Sequence, residues 1–398
     1  MIALLAAVLY FVQALAVLVV IVLLPARFFR KFFNPQGFLS LWSGRPIINM
    51  GVDARAERLL GVNAKSFVYK TYYITDAFDY NVSKGYSFPV LGKAIPFIAF
   101  IFACLFADRL HFHCDRGFIP SLKIFTFNFF ELYVYKFLGI EIFLWTYGAD
   151  VRSRQTTLLL GEPNCCTECT LVGKACICDE TLRTRNIERL RKYATAIFSM
   201  GDMVEYTPGS RNDLFFWPVD LWGDNGKKYE PVYPPLDEAR PLRIVHAPNH
   251  QMFKGTHFLI EAVEALQSEG VPLELILVER IPNEKALDIY RSADVVFDQC
   301  LVGFHGYFAI EAMAIGKPVM CFIRKPSGYL LRPDECPLIN THESTLKDDI
   351  RRLVKNREQL RDIGMRGRKY IEKHFTMEAF AQRLKRAYEE LGVRLFNS

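Results

Sequence analysis

The sequence predicts an α/β protein of two Rossmann-like domains behind an apolar N-terminal helix. From residue 242 onward, apolar runs at 242–246, 273–278, 295–297 and 319–323 alternate with helical segments, an order that requires a parallel sheet with right-handed crossovers. The first half opens in the same way, with an apolar run at 47–50, Gly51, a helical segment ending at Gly61 and a β-rich run at 67–74. Residues 1–24 contain no charged side chain. The 398 residues suit two or three domains, and the 51% hydrophobic share supplies their cores. A charged share of 23% excludes wholesale disorder, and a net charge of +6 fits phosphates or lipid headgroups, without the dense basic stripe of a nucleic-acid binder.

The opening 24 residues would span about 36 Å as a helix, enough for a bilayer core. A secretory signal is the rival reading, but no basic stretch precedes the apolar run and no small-residue cleavage site follows it. Arg27, Arg30 and Lys31 come next, so the positive-inside rule places the rest of the chain in the cytoplasm. The expectation is a single-pass anchor over 1–26, with Phe28, Phe29, Phe32 and Phe33 at headgroup level.

The first domain is expected over 40–220. No G-x-G-x-x-G follows its first strand, which excludes a dinucleotide oxidoreductase of the usual kind. The apolar stretch 94–107 is short for a second span and contains Pro96, so it reads as a core helix. Phe97, Phe100, Phe102 and Phe106 make a membrane-dipping segment the alternative. A helix to 138 and a strand at 140–145 follow. In the strand 110–113, His111 and His113 share one face, and Asp150 lies in the loop after 140–145. Both loops sit at carboxyl ends of parallel strands, where open α/β sheets bind ligands, although a histidine in such a place is commonly structural.

Five of the ten cysteines fall between 165 and 178. In a reducing cytoplasm, Cys166, Cys169, Cys176 and Cys178 point to a structural zinc within an insertion at 161–180, with a loop of reduced thiols as the alternative. The basic helix 183–192 reads as a solvated face able to approach anionic lipid. A strand at 195–200 and the segment 214–220 complete the domain. Gly- and Pro-rich residues 221–240 form the linker.

In the second domain, 241–372, the first helix carries its stripe on Phe258, Leu259, Ala262, Val263 and Leu266. The centre of the chain is 303–319, GFHGYFAIEAMAIGKPV. Its helix is apolar on all sides except for Glu311, whose buried carboxylate must find hydrogen bonds. Gly316 stops the helix. Gly303 and Gly306 let the backbone approach a ligand, and the helix start offers N–H groups to an anion. Lys254, at the carboxyl end of the domain's first strand, is placed to neutralise a diphosphate held by the backbone near Gly306 and Tyr307, a solvated loop lysine being the plainer alternative. Thr376 caps a last helix, 373–398, packed through Phe380, Leu384, Ala387 and Leu391.

From Gly306 the pattern G-x-x-x-x-E-A-M-A-x-G-K-P-V resembles the donor-site signature of retaining GT-B glycosyltransferases of family four. The likeness covers the second half strongly and the first half weakly. It implies two Rossmann-like domains facing a central cleft, with the last helix crossing back to the first domain. It also implies that Lys254 and Gly255 bind the donor diphosphate, that Glu311 holds the ribose, and that the base lies near Arg280 and Ile281. Two positions depart from the family. Gly303 stands where a first Glu is usual, and Asn249 and His250 stand where an Arg is usual, so His305 or His250 becomes the candidate replacement contact. The edge bearing His111, His113 and Asp150 would face the acceptor and the reacting sugar.

The expected reaction is transfer, with retention, from a nucleotide diphosphate-sugar to a lipid-linked or membrane-associated acceptor. It belongs to polysaccharide or glycolipid assembly at a bacterial inner membrane, and it needs no catalytic metal. Gly303 motivates the alternative of a catalytically silent, membrane-tethered subunit. A nucleotide-sugar epimerase of the same fold is a third reading.

Overall fold

The structure is a computed structural model that describes residues 2–34, 37–72, 75–123, 126–173, 178–236, 239–393 and 395, the backbone alone at 2–5 and 224. Leu41 and Trp42 are sealed from solvent because β1 (Ser40–Ser43) is an inner strand of a six-stranded parallel sheet. Its partners are β2 (Ala64–Val68), β3 (Tyr80–Asn81), β4 (Arg109–His113), β5 (Glu141–Trp145) and β6 (Ala196–Phe198), in the order β3-β2-β1-β4-β5-β6.

The run 47–50, expected as the first strand, is a correction. Gly44, at φ +130°, turns the chain out of β1, and Ile48 opens the helix Ile48–Arg58. Pro46 suits this helix entrance, and the β-branched pair Ile47-Ile48 packs as the helix start rather than pairing in the sheet.

Beneath β1, Glu57 is wholly buried and fully engaged. Its two oxygens accept from Ser40 Oγ (2.7 Å), Trp42 Nε1 (2.6 Å), Arg109 Nη1 (2.9 Å) and Tyr388 Oη (2.9 Å). A charge this deep is tolerated only with such complete pairing. Tyr388 belongs to the helix Met377–Glu390, which packs on the helix Ile48–Arg58 of the first domain. Val219, in the segment 214–220, bridges Thr376 at the start of Met377–Glu390.

The second sheet has five parallel strands: β7 (Leu242–His246), β8 (Leu273–Leu277), β9 (Val295–Gln299), β10 (Val319–Cys321) and β11 (Ile339–Asn340), in the order β11-β10-β9-β7-β8. Strands β9 and β10 are buried along their whole length, as expected for a sheet covered by helices on both faces. Strand order reverses between β7 and β9 here, and between β1 and β4 in the first sheet. Such switch points open a crevice at the carboxyl ends of the strands.

The domains touch across that crevice. Tyr307 Oη donates to Pro218 O (3.0 Å), and Phe304 packs against Trp217 (ring centroids 5.8 Å apart). A Cβ added at Gly201 would fall 2.2 Å from the Phe304 ring, so this loop of the first domain closes onto the second only through a glycine.

The N-terminal helix Ile2–Phe33 is long and apolar enough, by length and composition, to cross a membrane. The 94–107 stretch is the helix Leu91–Phe106, and the two helices pack together.

Candidate active site

The second domain builds its part of the site at the β7–β9 switch point. Lys254 ends the short helix Gln251–Lys254, and Gly255 at φ +74° turns the chain into the helix Thr256–Ser268. A Cβ at Gly255 would fall 2.3 Å from Cys300 Sγ, so glycine is required on both counts. The turn aims the Lys254 ammonium at Asp298, near the end of β9, with which it forms an ion pair. The other oxygen of Asp298 accepts the Gly306 N–H at 2.5 Å. Burial would raise the pKa of Asp298, but Lys254 and the Gly306 amide outweigh it and hold the carboxyl below its ordinary range. The two donors that the sequence assigns to an anion therefore already converge on one, supplied by the chain itself.

His305 is 3% exposed beside this group, and burial pushes its pKa down to about 4, so its ring is neutral at pH 7. Tyr307 begins the helix Tyr307–Ala314, and Glu311 follows one turn later. Glu311 Oε1 accepts from Asn283 Nδ2 (2.9 Å) and Tyr229 Oη (3.1 Å). Burial pushes the Glu311 pKa up, opposed by these two donors and by Lys228. Asn249, His250 and Arg280 are exposed on the loops after β7 and β8, and Ile281 is half-buried beside them. Arg280 takes φ +53°.

At Gly303 (φ +90°), a Cβ would fall 3.1 Å from Arg324 Nε. Arg324 crosses to the first domain, donating to the carbonyls of Leu160 (3.3 Å), Gly161 (2.9 Å) and Pro163 (2.6 Å).

In the first domain, His111 is 1% exposed and both its ring nitrogens are engaged. Trp145 Nε1 donates to Nδ1 (3.0 Å), and Nε2 lies 3.1 Å from Ser40 Oγ. Trp42 stacks on the ring at 3.8 Å. The structure thus places His111 inside the sheet. His113 sits at the end of β4, where Nδ1 accepts the Arg45 N–H at 3.0 Å, and burial pushes its pKa down to about 4. Asp150 accepts from the backbone N–H groups of Tyr147 (2.9 Å), Gly148 (2.9 Å) and Cys114 (3.2 Å). Burial, then the neighbouring Asp115, push its pKa up to about 7. Its oxygens hold the loop through these three N–H groups.

Cys165 and Cys166 are buried against the second domain's core, in a cluster with Leu259, Cys300 and Leu301. Cys178 Sγ accepts from Gly173 N at 3.1 Å. Among the described residues no three His, Cys, Asp or Glu side chains are grouped to hold a metal ion, and Cys176 lies outside them.

Asp298, Asn283, Tyr229 and Arg324 escaped the sequence reading, as did Asp53. Asp53 is 3% exposed, its Oδ1 has no hydrogen-bond partner among the described residues, and burial raises its pKa. The one available signal was acidic residues inside otherwise apolar or buried elements, Asp298 in VVFDQ above all.

No protein-family description matches the chain, and no curated protein matches it. Solved structures do. HepE from Anabaena in complex with UDP is 11% identical over 89% of this chain and 100% of that one, with a TM-score of 0.54. The same protein in complex with UDP-glucose gives a TM-score of 0.51 at 11% identity, over 89% and 99% of the two chains. An α-glucosyltransferase in complex with UDP and a 13-mer DNA containing an HMU base is 13% identical over 89% and 99%, with a TM-score of 0.50. With the two parallel sheets and the returning helix, these likenesses establish the GT-B fold.

Proposed function

We propose that this chain is a glycosyltransferase that moves a sugar from a nucleotide diphosphate-sugar to a hydroxyl of a lipid-linked or membrane-associated acceptor, in polysaccharide or glycolipid assembly. One observation carries the reading: the Lys254 ammonium and the Gly306 N–H converge on a single anionic group at the switch point of the second sheet. Donors pre-set in this way for a carboxylate suit a phosphate.

On donor binding, the diphosphate takes the Lys254 contact from Asp298. The ammonium and the amides at the start of Tyr307–Ala314 then stabilise the leaving diphosphate, an effect of the kind that contributes about 3 to 4 kcal/mol. Glu311, oriented by Asn283 and Tyr229, takes the ribose hydroxyls. His113 lines the acceptor side, with Asp150 holding its loop. Family-four resemblance supports retention and a reaction without a catalytic metal. The chain attaches to a membrane through its N-terminal helix, with its catalytic domains cytoplasmic. A structural zinc on Cys166, Cys169, Cys176 and Cys178 belongs to the same reading, and less than about half an equivalent in protein purified without chelator would remove it.

The deciding experiment titrates the full chain in detergent with UDP, GDP, ADP and their sugars, with Lys254→Ala as control. HepE and the α-glucosyltransferase were solved with UDP, which makes it the first base to test. Saturable binding lost in the variant is expected, and no binding by folded protein would sink the reading. Asp298 on the anion donors and Gly303 in place of a Glu favour one second reading, a silent binding subunit. Sugar transfer or donor hydrolysis that disappears in Lys254→Ala would eliminate it.

A further inference from the structure

The N-terminal helix is not set apart from the first domain. Gln13, Ala16, Val20 and Arg27 form one stripe, each at most 4% exposed. Ala16 and Val20 join the hydrophobic core that also holds Phe100 and Leu110 of the first domain. The Arg27 guanidinium donates to the carbonyls of Cys104 (3.0 Å) and Ala107 (2.8 Å) at the end of the helix Leu91–Phe106. Arg27, Arg30 and Lys31, the cations that suggested a membrane orientation, all gather on Asp108.

The opposite stripe is apolar and bare. Phe11, Val22 and Phe32 are 71%, 68% and 78% exposed, and Ile98 and Phe106 extend the surface on the neighbouring helix. Large apolar side chains exposed to this degree on two packed helices mark an interaction site.

The far end of the helix borders charge. Leu9, Tyr10 and Gln13 form one wall of a pocket of about 400 Å³ whose other walls carry Lys123, Arg185 and Arg189. These cations are exposed, and no ion pair to any of them occurs among the described residues. If the helix stood across a bilayer with Arg27 at the near headgroups, Tyr10 would rise about 25 Å above it. That is close to the far side of a hydrocarbon core about 30 Å thick. Three cations with no ion pair among the described residues, Arg189 resting on the Phe129 ring, would then be carried into hydrocarbon, where charge is disfavoured. Laid along a leaflet, the same helix puts its bare stripe into the acyl boundary and leaves the cations at headgroup level.

We propose that the N-terminal helix and the helix Leu91–Phe106 lie together in the plane of one leaflet of an anionic bilayer, and that Lys123, Arg185 and Arg189 meet its headgroups. The chain enters the membrane from one side and does not cross it. This replaces the crossing expected from hydropathy. It rests on the reading of a membrane-attached protein and is independent of sugar transfer.

The test uses the full chain, tagged at both ends, in sealed phosphatidylglycerol-rich vesicles. Protease added outside is expected to remove both tags from the same molecules. An N-terminal tag protected until detergent opens the vesicles, on molecules whose C-terminal tag is cleaved, would overturn the in-plane placement. For the headgroup contact, protein purified from mixed phosphatidylglycerol and phosphatidylcholine micelles is expected to retain phosphatidylglycerol enriched about fivefold over the bulk. The variant K123A/R185A/R189A, whose side chains are exposed, is expected to return to the bulk ratio. Enrichment unchanged in the variant would overturn the contact. Neither assay contains a nucleotide, so failure here and failure of the transferase reading are distinguishable.

Discussion

Lys254 and Asp298 are ion-paired across the switch point between β7 and β9, and the Gly306 N–H completes the same seat. A nucleoside diphosphate must compete with this carboxylate. Asp298→Asn should release Lys254 and tighten UDP binding about tenfold, whereas Lys254→Ala should weaken it by at least about tenfold. Calorimetric titration reads both, and weaker binding in Asp298→Asn would show that the carboxylate helps rather than competes.

Glu311 and Lys254 should separate by ligand. Glu311→Ala removes the group assigned to the ribose and should weaken UDP about tenfold while leaving inorganic pyrophosphate unchanged. Lys254→Ala should weaken both. Equal losses for UDP and pyrophosphate in Glu311→Ala would show that Glu311 acts by holding the helix.

Arg324 joins the second domain to the 160–163 carbonyls of the first. Arg324→Ala should cost about 1 to 3 kcal/mol of stability and speed limited proteolysis within 161–173. Cleavage at the wild-type rate would mean that the loop is held without the guanidinium.

Glu131 provides a pH signature. It is buried, and its Oε2 accepts from Phe118 N (2.9 Å) and Tyr135 Oη (3.0 Å). Burial pushes its pKa from 4.5 up to about 8. Between these values the folded state holds a proton that the unfolded chain releases, so the contribution is fully present below about 4.5 and declines as pH rises towards about 8. Glu131→Gln should flatten this part of the Tm–pH profile. An identical slope in both proteins would remove Glu131 as its source.

The first four strands of the second sheet were legible because they are apolar and regularly spaced, with β9 and β10 buried along their whole length, whereas the short, half-exposed β11 was not. The start of the first sheet was not. SLWS is short and half polar, whereas 47–50 looks like a strand, and only the positive φ of Gly44 shows where the turn falls. The approach of Lys254 to Gly306 was readable from the loop-and-helix pattern. The carboxylate between them was hidden because Asp298 belongs to a strand whose other residues are core. The histidine pair was read correctly as lying on one strand, but alternation says nothing of depth, and His111 lies within the sheet. Nor does hydropathy say which way an apolar helix lies. The burial of the polar Gln13 and Arg27 on one stripe shows only which face of the helix packs on the domain.

Tyr388 reaches Glu57 across 331 residues of sequence. The first domain leaves the ribosome before the helix Met377–Glu390, so the network around Glu57 and Arg109 lacks one of its donors until Tyr388 has been made. All the strands of the second domain precede Tyr388 in the chain, so that domain can form its sheet before the carboxylate of Glu57 gains its last donor. A chain that loses its C-terminal helix is therefore damaged at its beginning.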